Sequence, residues 1–355
     1  MKENKFEKFT CPIPIDRGQH VTIGHGSGGS LTKKLINSVF YKHFSNPFLD
    51  AENDFAEFNV PNKIFDRLVT STDGHVVDPI FFPGGDIGTL AVAGTVNDIS
   101  MSGAIPKFLT ASFILEEGLP MRDLMQIAHS MKGTAQEAGV QIIAGDTKVV
   151  QKGKADGIFI STTGIGFLRR DLRINGSCAV EGDAIILSGT MGDHGIAVLS
   201  ARNDLGFSTT IESDVAPLNN LIQSAIDAAP HIHVLRDPTR GGIATTLNEI
   251  ANQSKVSMIL KEDALPINQQ VQAACDILGF DPLYVANEGK VLIFVPQNEV
   301  DDLLAILHNQ KYGGKAVVIG KVIQSESSPL VLMKTEIGGT RIIDMLTGEM
   351  LPRIC

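Results

Sequence analysis

The sequence predicts an α+β protein of two domains, and three observations carry that expectation. A chain of 355 residues, 43% of them hydrophobic, is long enough for two cores of ordinary size. Short apolar runs that end in Gly and Asp alternate with amphipathic helical patterns. The turn at Asn175 and Gly176 divides the chain into halves that each repeat this alternation, with no linker longer than a few residues.

Taken in order, the strand-like VTI from Val21 leads into the glycine loop GHGSGGS. There follows LTKKLINSVFYKHF, in which Leu31, Leu35, Ile36, Val39 and Phe40 share one helical face. RLVTSTDG and FLTASFIL read as strands, and between them GTLAVAGTVNDISMSGA reads as a close-packed helix of small residues containing Asn97 and Asp98. Pro120 starts the helix MRDLMQIAHSMKGTAQEA, which Gly139 stops. The strands VQIIAGDTKVV and GIFISTTGIGFL complete the first half. In the second half DAIILSG is a strand, a helix starts near Asp193, and helical patterns flank RDPTRGG. VLIFV and AVVIGKVI are further strands. No short-period repeat is present, which excludes a solenoid.

Composition narrows the function. A formal charge of −10, no Trp and only three Tyr give neither the electrostatic footprint nor the stacking surface of a nucleic-acid binder. The opening MKENKFEKFTCPIPID has no apolar signal region, and no stretch approaches the roughly 18 apolar residues of a spanning helix, so no membrane partner and a cytoplasmic location are expected. The four cysteines, Cys11, Cys178, Cys275 and Cys355, are scattered, with no C-x-x-C pair and no disulfide density.

Chemistry is signalled by aspartates beside glycines at strand ends: Asp73, Asp86, Asp98, Asp146, Asp193 and Asp237. One such pair is ordinarily a turn. Several carboxylates on different loops suit magnesium, which keeps oxygen ligands and bridges phosphates. Backbone N–H groups of GHGSGGS at a helix start, with Gly26, Gly28 and Gly29, suit a polyphosphate. Both G-x-x-x-x-G-K-[ST] and the dinucleotide spacing are absent, so an ATP site here belongs to another fold. The last residues, Leu351, Pro352, Arg353, Ile354 and Cys355, place a thiol at the end of the chain. From Gly348 an extended segment reaches on the order of 25 Å, enough to carry a bound group between sites.

In order, GHGSGG, STDGHVVDPIFFPGGDIG, VNDISMSGAIP, ILEEGLP, AGDTKVV, SGTMGDHG, RDPTRGG, ANEGK and the terminal PRIC closely resemble the HypE carbamoyl dehydratases of NiFe-hydrogenase maturation, over roughly residues 20 to 355. The glycine and aspartate motifs are shared with the wider superfamily of aminoimidazole ribonucleotide synthetase and selenophosphate synthetase, whereas PRIC singles out HypE. Residues 1–19 extend beyond the family core, so Cys11 has no counterpart, and Asp86 stands where relatives can carry Asn.

The resemblance implies an aminoimidazole-ribonucleotide-synthetase-like fold. Its parts are an ATP-binding and dimerisation domain over 20–172, a C-terminal α+β domain over 173–345, and a mobile tail over 346–355. It implies that a partner carbamoyltransferase loads Cys355 and that the chain dehydrates the resulting S-carboxamide to S-cyanide with ATP and Mg2+, the cyanide passing to iron on a scaffold of two other maturation proteins. By likeness, Cys355, Glu288 and Lys148 are catalytic. Gly26, Gly28, Gly29, Asp73, Asn97, Asp98, Asp146 and Thr147 bind nucleotide, and Asp73, Asp98, Asp146 and Asp237 hold metal. A homodimer through the N-terminal domains is implied too. His25, His75 and His194 beside glycines, and Arg236 and Arg240 flanking Asp237, are secondary candidates. The alternatives are a superfamily kinase or ligase of a free small molecule, which would keep its activity without the tail, and an ATP-gated adaptor whose tail only docks.

Overall fold

The computed structural model describes residues 20–22, 34–46, 65–202, 210–346 and 354. The first half is built on strands β1 (Phe65–His75), the two-residue ribbon β2 (Phe81–Phe82) and β3 (Gly85–Asp86), then β4 (Ile105–Glu116), β5 (Gln141–Val150) and β6 (Ile158–Arg169). Four of these form a sheet in the order β1-β6-β4-β5. The pairs β1/β6 and β4/β6 are antiparallel, while β4/β5 is parallel. A parallel pair needs a crossover, and α2 (Met121–Ala138) supplies it after α1 (Ile87–Ser100). Pro120 caps α2 and Gly139 ends it in the left-handed conformation, φ 68°, as the sequence predicts.

The small-residue helix α1 is buried nearly all round; only Thr89 and Asp98 keep partial exposure. Such a helix belongs in a core, and β6 admits it by lacking side chains where the two meet. A Cβ on Gly164 would come within 2.4 Å of Ile99 Cδ1. Asp86 starts α1 by accepting the N–H groups of Gly88 and Thr89 at 2.8 and 3.0 Å. Upstream, Val21 does not extend the sheet. It pairs with the loop before α2, donating to Leu119 and accepting from Gly118, both at 2.8 Å. Leu35, Val39 and Phe40 are buried as the helical pattern requires, but Ile36–Tyr41 is wound as a π-helix.

The second half carries a seven-stranded sheet ordered β13-β12-β9-β11-β7-β10-β8. Its strands are β7 (Asp183–Leu187), β8 (Val234–Arg236), β9 (Ser257–Lys261), β10 (Leu292–Pro296), β11 (Val317–Ile323), β12 (Val331–Lys334) and β13 (Thr340–Ile343). Its helices are α3 (Asp193–Ser200), α4 (Asn219–Ala228), α5 (Gly242–Ser254), α6 (Gln269–Leu278) and α7 (Val300–Leu307). Ile186 of β7 joins Leu221, Ile222 and Leu303 of α4 and α7 on one face, while Ile185 and Leu187 join Ile243, Leu247 and Ile250 of α5 on the other. Burial on both faces explains why DAIIL and LIFV are uninterrupted apolar runs. Among the described residues, no helix is long and apolar enough to cross a membrane.

Candidate functional site

The functional side chains collect where the end of β1, the exposed step of α1 and the loop after β8 meet. A cavity of about 460 Å³ there is lined by Ser71, Asp98, Arg236, Asp237, Thr239 and Arg240, among others. Strand alternation turns Ser71, Asp73 and His75 toward α1, and Ser71 Oγ donates to Asp98 at 2.7 Å. Arg236 pairs with Glu249 of α5 at 2.7 Å, which holds one cation on the cavity wall.

Electrostatics define the site. Burial and the neighbouring charge of Asp73 raise the Asp98 carboxyl above its usual range, although the Ser71 hydrogen bond pulls the other way. Burial and then Asp98 push Asp237 up to about 7. Glu288 is 4% exposed. Burial first, then Asp237, Asp214 and Asp73, hold it well above the ordinary carboxylate value. Its Oε1 has no hydrogen-bond partner among the described residues. The charge of Asp73 thus contributes to raising all three of Asp98, Asp237 and Glu288, and a cation among them would relieve that repulsion. Yet no three of the described His, Cys, Asp or Glu residues converge closely enough to hold a metal alone. The donor set suits an ion that completes its shell with phosphate and water, which is magnesium's habit.

Glu288 is held from behind. Asp214 accepts the N–H groups of Glu288 and Gly289 at 3.1 and 3.3 Å and the Lys290 ammonium at 2.8 Å. Burial opposes ionisation of Asp214, but Lys290, His194 and these hydrogen bonds outweigh it and keep the carboxyl below its usual range. Only glycine fits at 289, where a Cβ would lie 1.7 Å from the Asp214 carbonyl. Asn287 accepts from Gly192 N at 2.7 Å and donates to the Pro238 carbonyl at 3.0 Å. The ANEGK motif is thus a turn hydrogen-bonded from both sides, with a carboxyl of raised pKa at its tip.

Several expected residues sit elsewhere. Asn97, expected to bind nucleotide, is buried. It donates to the carbonyls of Ala216 and Glu288 at 3.0 and 3.3 Å and accepts from Leu218 N at 2.8 Å, so its amide is committed to joining the two halves. Asp86 is the α1 cap and also accepts from Ser130, which gives its carboxyl a structural role. Asp193 accepts from Thr190 and Asn268 and is equally structural.

Asp146 does not join Asp73, Asp98 and Asp237 within one chain. From Asp73 the register runs through Thr162 and Ala111 to Gly145, three strand spacings, or about 14 Å at about 4.8 Å each. Asp146 and Lys148, 3.2 Å apart and exposed, pair with Ser112 and Ile114 on the sheet face turned away from the helices. Thr147 between them faces the other way. His75 is buried, 3.1 Å from Thr162 Oγ1, and burial lowers its pKa. Gly26, Gly28, Gly29, His25, Cys11 and Cys355 lie outside the described residues. Sequence reasoning missed Asp214 and gave Lys290 no part. Lys290 stands two residues beyond Glu288 and was visible, whereas nothing around Asp214 in IESDVAP distinguishes it from a loop acid.

The raised Asp237 pKa has a measurable consequence. Its carboxyl has an ordinary value of 3.8 and about 7 when folded, so over that interval the folded chain binds the proton more tightly than the unfolded one. The stability this group contributes is full below about pH 4 and lost as pH rises through about 7. In ligand-free protein, Asp237→Asn is expected to lessen the decline in stability between pH 5 and 8 by on the order of 1–3 kcal/mol, read by urea unfolding. An unchanged pH slope would remove Asp237 from the repelling cluster.

Comparison with known proteins places this geometry. The family models for the AIR synthase related protein, N-terminal and C-terminal domains, match residues 60–168 and 180–332. The carbamoyl dehydratase HypE of Cupriavidus necator is 52% identical over 347 residues, covering 98% of each chain. A crystal structure of the hydrogenase maturation protein HypE in complex with ATP superimposes with a TM-score of 0.89 at 47% identity, covering 94% of this chain and 99% of that one. A HypE–HypF complex matches with a TM-score of 0.76 at 47% identity, over 90% of this chain and all of that one. Both halves are those of one family: the chain belongs to the HypE carbamoyl dehydratases, within the AIR synthase related proteins.

Proposed function

We propose that this protein is an ATP-dependent carbamoyl dehydratase that converts an S-carboxamide on Cys355 to S-cyanide for the iron of a NiFe-hydrogenase. The observation that carries the reading is Glu288, a buried carboxyl with an unpartnered oxygen, at a carboxylate cleft beside the docked end of the chain. Ile354, next to Cys355, bridges Val77 and accepts from His194 at 2.6 Å. Ser213, on the other side of the His194 ring, adjoins the Asp214 that holds the Glu288 peptide.

An amide oxygen is a poor leaving group. Capturing the γ-phosphoryl group of ATP turns it into phosphate; loss of one N–H proton accompanies capture and loss of the other accompanies departure of phosphate, leaving the nitrile. Glu288 would take a proton from that nitrogen, a role its unpartnered Oε1 supports. Arg236 and Arg240 line the cavity where phosphate charge moves. Asp73, Asp98 and Asp237 would hold magnesium, which supplies neutralisation of phosphate charge when bound. The ATP complex of the HypE relative supports the nucleotide, and the HypE–HypF complex supports a carbamoyltransferase of the HypF kind as the partner that loads Cys355.

Asp146 and Lys148 fit this scheme through a second copy. The sheet face that bears them also exposes Leu68 and Ile114, 55% and 39% accessible. A homodimer packed through that face would carry the β5 edge of one copy toward the β1 edge of the other, bringing Lys148 and Asp146 to a cleft they do not reach alone.

Intact mass tests the reading. On protein loaded by the carbamoyltransferase, Mg-ATP is expected to remove the mass of one water. Asp98→Ala should lose that shift together with Mg-ATP binding by calorimetry, without losing its fold. ATP turnover indifferent to Cys355 would instead indicate a kinase or ligase of a free small molecule.

A further inference from the structure

His194, from the SGTMGDHG motif, has no part in the reaction as derived so far. It lies wholly buried at the second position of α3. Phe82 meets the ring edge-on with centroids 5.5 Å apart. Nε2 lies 2.6 Å from the Ile354 carbonyl and Nδ1 lies 2.8 Å from Ser213 Oγ. A carbonyl oxygen only accepts, so Nε2 bears the proton. Nδ1 then accepts from the Ser213 hydroxyl, whose oxygen takes the Val215 N–H at 3.1 Å. Both ring nitrogens are therefore committed, one to the end of the chain and one to the segment that holds Glu288. Ile354 is itself 5% exposed, its side chain in the same apolar core as Val77 and Phe82.

The Ile354 carbonyl and the Cys355 N–H belong to one planar peptide unit. Fixing the carbonyl therefore fixes the plane of the peptide that joins residue 354 to residue 355. Asp214, adjacent to Ser213, binds the Glu288 and Gly289 N–H groups, so one short stretch of chain locates both the proton acceptor and the histidine. We propose that His194 is a positioning residue for the dehydration step: its Nε2–H holds the peptide that carries Cys355 in register with Glu288. This rests on the reading of Cys355 as the carbamoyl carrier, and its test separates the two.

The test begins with accessibility of the thiol in full-length protein without ATP or partner. His194→Leu fills the site and removes the donor, whereas His194→Gln keeps an N–H near the position of Nε2. Iodoacetamide labelling located by peptide mass spectrometry is expected to speed up at Cys355 by roughly fivefold or more in the Leu variant, the factor for one lost hydrogen bond, and to stay near the parent rate in the Gln variant. Labelling of the free, partly exposed Cys178 is the internal reference, since burial pushes the Cys275 thiol up to about 11 and makes it slow. On loaded protein the Leu variant should dehydrate on the order of 10–100-fold more slowly with its KM for ATP unchanged, and Gln should restore the rate. Equal behaviour of the two variants, or parent-like labelling in Leu, overturns the proposal. Should the Leu variant fail to fold, NMR of the unsubstituted chain decides. The His194 Nε2–H resonance should shift when the chain is ended after Arg353, and a resonance that does not move refutes the contact. Parent protein that is labelled as expected but forms no cyanide would refute the carrier reading and leave the latch standing.

Discussion

Glu288→Gln is expected to arrest the protein at the carboxamide: Cys355 still loads, and conversion to cyanide falls by about 10²–10⁴-fold, the usual worth of a positioned general base. The structure makes this a clean substitution. Burial and three neighbouring carboxylates hold the Glu288 pKa well above its ordinary value, and the Asp214 contacts are made to backbone N–H groups, so an uncharged amide of the same shape leaves them in place. A cation held by Asp73 and Asp237 would offset two of the charges that raise the Glu288 pKa and so favour its ionised form. Intact mass after Mg-ATP addition reads the outcome. A normal yield of cyanide from the Gln variant would place the base elsewhere.

Appending a single residue after Cys355 is expected to block maturation nearly as completely as Cys355→Ala, although the thiol remains. A free cysteine titrates near about 8.5, so only a few per cent is thiolate at neutrality. Selectivity for Cys355 is therefore expected to come from where it is delivered. Ile354 is buried, bridged to Val77 and bonded to His194, so delivery depends on a chain whose length beyond that contact is a single residue. Cyanide formation by the extended chain at the parent rate, measured by mass, would show that the terminal position is incidental.

Much of this architecture was written locally in the chain. The period of MRDLMQIAHSMKGTAQEA, closed by Pro120 and Gly139, gave α2 without ambiguity, because its stop and start signals act within a few residues. Asp98 was legible for a similar reason: in α1 it is an acid amid small apolar residues, and the only remaining question was which way it faced. What the chain did not disclose is long-range. Asn97 looked like a ligand because it adjoins Asp98, yet its partners lie well over a hundred residues away, at Ala216, Leu218 and Glu288. Asp146 looked like its fellow aspartates because turn motifs resemble one another, and only strand order and face separate it from Asp73. Strands such as β8 and β13 are three and four residues long, too short to establish a period.

Asn97 also determines what the cleft can do. A buried side chain in the first half that bonds three backbone groups of the second ties the halves together at the site, since opening them there would break all three bonds. The acids are thus held close together by the fold itself, and a ligand entering such a cleft need not assemble it.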